Sequence, residues 1–283
     1  MRALDPEVIN VVFEAVEGLL PVRVDSHPLG CHRSRIPDRV CFFGILVRLV
    51  TGCSWEDTER IMGRQVSDTT LRARRDEWVA AEVFDRLERE AIAAYDRIVG
   101  LDLAEVGVDG SQQTARCGGP GTGPNPADRG KTGWKWSIAV DAGGVPVGWA
   151  IAGANRHDSK LLEPTLGTIH GRGLIGDIET IHLDKGYDYQ FIDELIARAG
   201  IDDANISRKK KRGQPAPRRY RIERRWVVER TNSWLANFGQ LRRNTDRRPI
   251  HRLAQLALAI TMLIAAKLID WRNRWSPDSR PIR

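Results

Sequence analysis

With 283 residues, 41% of them apolar and 29% charged, the chain can form one large domain or two ordinary ones, and its composition excludes a disordered protein. The net charge of +7 and pI near 9.5 favour an acidic partner, the more so because ten of the eighteen residues 208–225 are Arg or Lys. Cys31, Cys41, Cys53 and Cys117 form no C-x-x-C pair, and His27, Cys31 and His32 lack a zinc finger's downstream spacing, so unpaired thiols of a reducing compartment are expected.

The first hundred residues read as helical. Asp5-Pro6-Glu7 is a helix start, with the acid as cap and proline in the first turn. A second helix runs from Asp38 to about Gly52, with Val40, Phe43, Leu46, Val47 and Val50 expected inward. Ser54 caps a short helix to Met62, Gly63–Val66 turns the chain, and Ser67-Asp68 caps another. Two short helices about a glycine turn form a helix-turn-helix pattern. Its second helix would turn Thr69, Thr70, Arg72, Arg74 and Arg75 outward, towards phosphates and base edges. The alternative for this stretch is a plain bundle with a solvated basic face. A connector helix, Phe84–Val99, ends the region.

The texture changes at about residue 102. Glu105–Ser111 alternates as a strand leading to an exposed Asp109. A Gly/Pro-rich loop spans 117–133. Trp134–Val140 and Val145–Ala152 form a hairpin about Asp141-Ala-Gly-Gly144, with Trp134 and Trp136 on one face of the core. Thr180–Asp184 is a further strand, Phe191–Ala199 a helix and Asp203–Ser207 a short strand. Beyond the basic segment, Arg225–Leu235 reads as a helix with Trp226, Val227, Trp234 and Leu235 gathered to one side and Glu229 among them. His251–Trp271 closes the chain. Its apolar run, Leu256–Ala266, is shorter than the roughly 20 residues of a membrane span and is broken by Thr261, so no membrane partner is expected. The start, Met-Arg-Ala-Leu-Asp-Pro-Glu, has no signal-peptide character, and a cytoplasmic location follows.

A mixed sheet built in this order can set Asp109 and Asp184 side by side, and a helix across it can add Glu229. Any one of these acids alone reads as a solvated strand end. Three crowded carboxylates need a cation between them, and oxygen-only ligands favour Mg²⁺ or Mn²⁺. Two such ions about 4 Å apart clamp a phosphodiester and activate water. His157 and Asp158, at a strand-to-helix junction, either support the ligands from behind or, through Asp158, simply cap the helix.

Asp109-Gly110-Ser111, Leu183-Asp184-Lys185-Gly186-Tyr187-Asp188 and Arg225-Trp-Val-Val-Glu229-Arg230-Thr-Asn-Ser-Trp234-Leu235 resemble the three signature blocks of DDE transposases from bacterial insertion sequences. The group named for insertion sequence five is the nearest likeness. Asn155–Ser159 and Leu49–Trp55 resemble that group too. The resemblance implies an α/β, ribonuclease H-like mixed sheet flanked by helices (101–283), after an all-α helix-turn-helix-type domain (1–100). It implies Asp109, Asp184 and Glu229 as catalytic metal ligands for Mg²⁺ or Mn²⁺, two ions, with Arg225 close by. The partners implied are double-stranded DNA, as transposon ends and target, and a second copy of the chain as a dimer at the nucleoid. Phosphate contacts are expected from Arg208, Lys209, Lys210, Lys211, Arg212, Arg218, Arg219 and Arg230. Ile222 and Ala236 stand where related groups often carry a tyrosine and a base. A silent DNA-binding regulator, a domesticated copy, or a nuclease that cuts without joining are the alternatives.

Overall fold

The computed structural model describes residues 4–22, 34–207 and 225–275. In chain order its helical half contains α1 (Pro6–Glu17), α2 (Asp38–Thr51), α3 (Trp55–Ile61), α4 (Asp68–Ala80) and α5 (Val83–Ile98). There follow β1 (Glu105–Ala115), β2 (Gly123–Pro124), β3 (Thr132–Val140), β4 (Pro146–Gly153), α6 (Leu162–His170), β5 (Thr180–Leu183), α7 (Gln190–Arg198) and β6 (Asp203–Ile206). The C-terminal part adds α8 (Arg225–Ala236), α9 (Gly239–Arg242), β7 (Arg243–Asn244) and α10 (Pro249–Trp275). The chain divides into two compact units: Met1–Tyr95 with Asn237–Arg242 and Ile250–Arg283, and Asp96–Ala236 with Arg243–Pro249. It is a mixed α/β protein with an N-terminal helical region.

In the helical unit, caps set the starts. Asp5 accepts from the Glu7 amide at 3.0 Å, Ser54 from Asp57 at 3.0 Å and Ser67 from Thr70 at 3.2 Å. Gly52 ends α2 with φ +71°, and a Cβ there would stand 2.6 Å from the Gly239 carbonyl carbon, so only glycine allows this approach of α9. The face of α2 is only partly the one expected: Leu46 and Val47 are buried as foreseen, but the buried side extends elsewhere. Cys41, Phe42, Ile45, Leu46 and Leu49 are buried, whereas Phe43 is 38% exposed. A helix apolar on all sides leaves its period undecided, and here Arg48 decides it by lying 4.1 Å over the Trp55 ring.

Two residues expected to reach outward do not. Arg74 is buried, paired with Asp38 and donating to the Ile36 carbonyl at 3.1 Å. Arg75 is buried too, 5.1 Å from the Trp55 ring and 2.8 Å from Asp76. Both follow Leu71 by three and four residues and so share its core-facing side with Trp78. Thr69 and Arg72 are exposed, Arg72 paired with Asp68 at 2.9 Å, while the Thr70 hydroxyl bonds Ser67 at 2.9 Å.

Helix α10 is long and apolar enough to cross a membrane, but 72% of its most apolar stretch is buried within the protein. It falls in the helical unit, where His251, Ala254 and Leu258 line a small cavity with Ile45, Leu49, Trp55 and Phe84. A single boundary at residue 100 would join this helix to the sheet half, but neighbours along the chain need not be neighbours in space.

In the other unit the sheet runs β4-β3-β1-β5-β6. β3 pairs antiparallel with β4 and β1, and β5 pairs parallel with β1 and β6. β2 adds to β3, and β7 to the end of β1. One pleat face sends Val106, Val108 and Ala139 into a core with Leu162, Leu166 and Ile169 of α6 and Ile192 and Ile196 of α7. The other carries Trp134 and Trp136, both fully buried and 5.3 Å apart, as expected of core residues, and receives α8. His27, Cys31 and His32 lie outside the described residues, as does the basic segment 208–224. Of the described cysteines, Cys41 is a buried free thiol and Cys53 and Cys117 are also free.

Candidate active site

The sheet register places the first two acids. β1 and β5 pair at Glu105↔Thr180, Val106↔Ile181 and Gly107↔His182. Continued by two positions, the same register sets Asp109 level with Asp184, the first residue past β5. Asp109 is not itself a strand end. β1 stays paired with β3 as far as Thr114↔Gly133, so it is the parallel neighbour that stops. Beyond it Asp184 caps the turn Lys185–Tyr187, its Oδ1 accepting from the Gly186 amide at 2.7 Å.

Asp109 also meets α8. Asn232 donates from Nδ2 to Asp109 Oδ2 at 3.2 Å and accepts from Trp136 Nε1 at 2.8 Å. The indole thereby fixes which way the amide points. Three residues before Asn232, Glu229 is exposed on the same helix. Among the described residues no three His, Cys, Asp or Glu side chains are gathered closely enough to hold a metal as they stand. The structure therefore brings Asp109 and Asp184 together at one sheet end and sets Glu229 one helical turn from a residue that touches Asp109.

Tyr187 lies beneath these carboxylates. It is fully buried, and its phenol is pushed well above the ordinary value by burial first and then by the charges of Asp158, Asp109 and Asp184. The hydroxyl keeps its proton at any physiological pH. Because the folded state holds that proton while the unfolded chain releases it near pH 10, stability falls as pH rises above about 10. Tyr187→Phe should flatten this alkaline limb in melts followed against pH; an unaltered slope would remove the hydroxyl from among the acids.

Asp158 is held by Lys135, whose side chain is 1% exposed and whose Nζ donates to Oδ1 at 2.7 Å. Gly110 makes room for it, since a Cβ there would stand 2.2 Å from the same oxygen. The cap of the turn Asp158–Lys160 is His157, accepting from the Ser159 amide at 3.3 Å, and not Asp158.

On α8, Val227, Val228 and Leu235 are buried but Trp226 is 50% exposed, against expectation. Arg230, expected on DNA, lies between the Trp226 and Trp234 rings at 4.3 and 4.7 Å and donates to the Gly143 carbonyl at 3.3 Å. It fastens the helix to the hairpin turn. Of Arg225 only the backbone, opening α8, is described; Arg208, Lys209, Lys210, Lys211, Arg212, Arg218 and Arg219 lie outside the described residues. Asn232, Lys135 and Tyr187, which touch or face these acids, are not among the residues the sequence singles out. Asn232 follows Glu229 by one turn, and Lys135 alternates between two buried tryptophans, where a cation needs a partner; both signals were present.

Asn232→Leu should leave the Trp136 indole unpaired and Asp109 without its anchor. A loss of about 1–2 kcal/mol in urea unfolding and a 10- to 100-fold fall in any metal-dependent activity are expected. Full activity would separate α8 from the acid pair.

An α/β protein with aspartates level on a parallel strand pair, and an acid-bearing helix laid across the sheet, is thus defined. The chain belongs to the transposase DDE domain family: the family model described as "Transposase DDE domain" matches residues 106–264. A second model, described as "Putative transposase of IS4/5 family", matches residues 10–88. Two proteins of Burkholderia cepacia are similar. One, named "Putative transposase for insertion sequence element IS402", is 36% identical over 138 residues, 47% of this chain and 63% of that protein. The chain thus spans a little under two thirds of that relative's length. The other, named "Insertion element IS402 uncharacterized 16.2 kDa protein", is 31% identical over 121 residues, 43% of this chain and 82% of that protein.

Proposed function

We propose that this chain is a DNA transposase that binds the inverted-repeat ends of an insertion sequence, cuts a strand with water and joins the freed 3′-hydroxyl to target DNA. The observation that supports the reading is the β1–β5 register, which continued by two positions sets Asp109 level with Asp184, with α8 tied to Asp109 through Asn232. On this reading the sheet unit is a ribonuclease H-like catalytic domain, and α3 and α4 form a helix-turn-helix that grips DNA with Thr69 and Arg72. Residues 208–225 supply phosphate contacts, two copies work together on the DNA, and the protein acts in the cytoplasm at the nucleoid.

The donor set fits a hard divalent cation, because Asp109, Asp184 and Glu229 offer oxygen alone. These three would hold Mg²⁺ or Mn²⁺, two ions in the reading proposed here, which when bound supply Lewis acidity at the scissile phosphate and ease deprotonation of the attacking water. The chain's own residues prepare the place. Asn232 orients Asp109, and the Gly186 amide fixes Asp184. Lys135 occupies Asp158, keeping that charge from adding to the repulsion.

The test uses the full chain with duplexes from the DNA flanking its gene, in Mg²⁺ and in Mn²⁺. Nicking at the element's end, and joined products from pre-cut ends, are expected. Binding without cleavage in either metal would favour a regulator, and cleavage without joining a nuclease.

A further inference from the structure

Strand β1 runs on past Asp109 after β5 has stopped, and at its far end β7 takes up the same edge, paired at Thr114↔Arg243 and Ala115↔Asn244. Five residues of extended chain separate Asp109 from Thr114, about 17 Å at roughly 3.3 Å per residue. The corner at that far end is stitched from two distant segments. The Arg116 amide donates to the Asn244 carbonyl at 3.0 Å, and the buried Asn244 side chain accepts from the Asp246 amide at 2.8 Å. Gly119, at φ +106°, lies so near the Arg247 carbonyl that a Cβ would stand 2.3 Å from its oxygen, so glycine alone allows the approach. The acid pair and this corner are thus fixed at two points of one strand.

Arg116, Arg243, Arg247 and Arg248 are all exposed on it. The one acid of residues 243–249, Asp246, is buried, and no acid lies between Arg116 and Asn125. Among the described residues Arg116, Arg243 and Arg248 form no ion pair. A run of cations along one helix is commonly a solvated face. Here the fold brings like charges together from far apart in sequence, against their mutual repulsion, and leaves them facing outward, which suits a polyanion. We propose that these four arginines grip the phosphates of double-stranded DNA to one side of the scissile linkage, at a distance that β1 sets. This deepens the transposase reading above and rests on it. The roughly 17 Å along β1 corresponds to about five base pairs at 3.4 Å each. Phosphate contacts carry no base sequence, so the grip fixes where the duplex lies and not which duplex is chosen.

The experiment measures binding by the full chain, without metal, of a duplex taken from the DNA flanking its gene, over a series of salt concentrations. Arg116→Gln, Arg243→Gln and Arg248→Gln should each reduce the slope of log affinity against log salt by about one. Arg243→Lys keeps the charge and should keep the slope, which separates lost charge from a disturbed fold. Neutral methylphosphonate linkages, placed singly along both strands, then locate the contact. One placed about four to seven nucleotides from the cleavage point should weaken wild-type binding roughly threefold and leave the triple glutamine variant unchanged. Wild-type slopes in all three glutamine variants, or sensitive phosphates found only elsewhere, overturn the grip while leaving the DNA-cutting reading intact. An altered oligomeric state with an unaltered slope overturns it in favour of a contact between copies of the chain. A wild-type protein that binds no DNA removes the transposase reading and the grip together.

Discussion

Asp109→Ala and Asp184→Ala are each expected to lower strand cleavage by on the order of 10³-fold or more, about 4 kcal/mol of transition-state stabilisation, with DNA binding left within about threefold. The size follows from position. The β1–β5 register, continued by two positions, sets the two acids level, so neither can be replaced by a neighbour: Gly110 has no side chain and Asp188 lies beyond the turn that Asp184 caps. Each acid is also fixed from a different side, Asp109 by the Asn232 amide and Asp184 by the Gly186 amide. Removing either leaves the other in place, so the losses should not add in the double variant. Gel-shift affinity and single-turnover nicking on the same duplex check this. Cleavage within about tenfold of wild type in either variant would take that residue out of the chemistry. Glu229→Ala should behave alike if its helix completes the site, with the fold unaffected because the side chain is exposed.

Asp158→Ala should cost folding stability instead. It strips the partner from Lys135, an ammonium whose side chain is 1% exposed. Breaking a buried pair costs roughly 3–5 kcal/mol, but the carboxylate side is 35% exposed and water can replace part of it, so about 2–3 kcal/mol is expected. That corresponds to a Tm lower by about 5–10 °C. Lys135→Met combined with Asp158→Leu removes both charges and should recover most of the loss. If the double variant is no more stable than Asp158→Ala alone, packing and not charge fixes this corner. A wild-type Tm in Asp158→Ala would mean that Lys135 is reached by solvent.

Much of this was legible beforehand because it rests on local rules. The caps at Asp5, Ser54 and Ser67, the hairpin about Asp141–Gly144, and the strand ending at Asp184 all depend on residues within a few positions of one another. The pairing of β1 with β5 also followed, since strand–helix alternation leaves few topologies. What stayed hidden depends on residues far apart in sequence. Asp38 is thirty-six positions from Arg74, which it turns inward, and Asn232 is one hundred and twenty-three from Asp109. The face of α2 was legible only in part, at Leu46 and Val47, because an apolar surface all round carries no phase. The setting of Arg230 was hidden because a cation in a basic stretch looks solvated until two tryptophans are found on either side of it.

On the DNA-binding reading proposed above, the inward turn of Arg74 and Arg75 narrows how this chain could be retargeted. What α4 offers to the outside is a short alphabet: Thr69, Arg72, Ala73, Asp76 and Ala80. Grafting a foreign helix wholesale would unseat the ion pair with Asp38 and the ring contact with Trp55 that hold α4. A library confined to Thr69, Ala73 and Ala80 would vary this exposed face while leaving those contacts, and the Asp76 pair with Arg75, untouched.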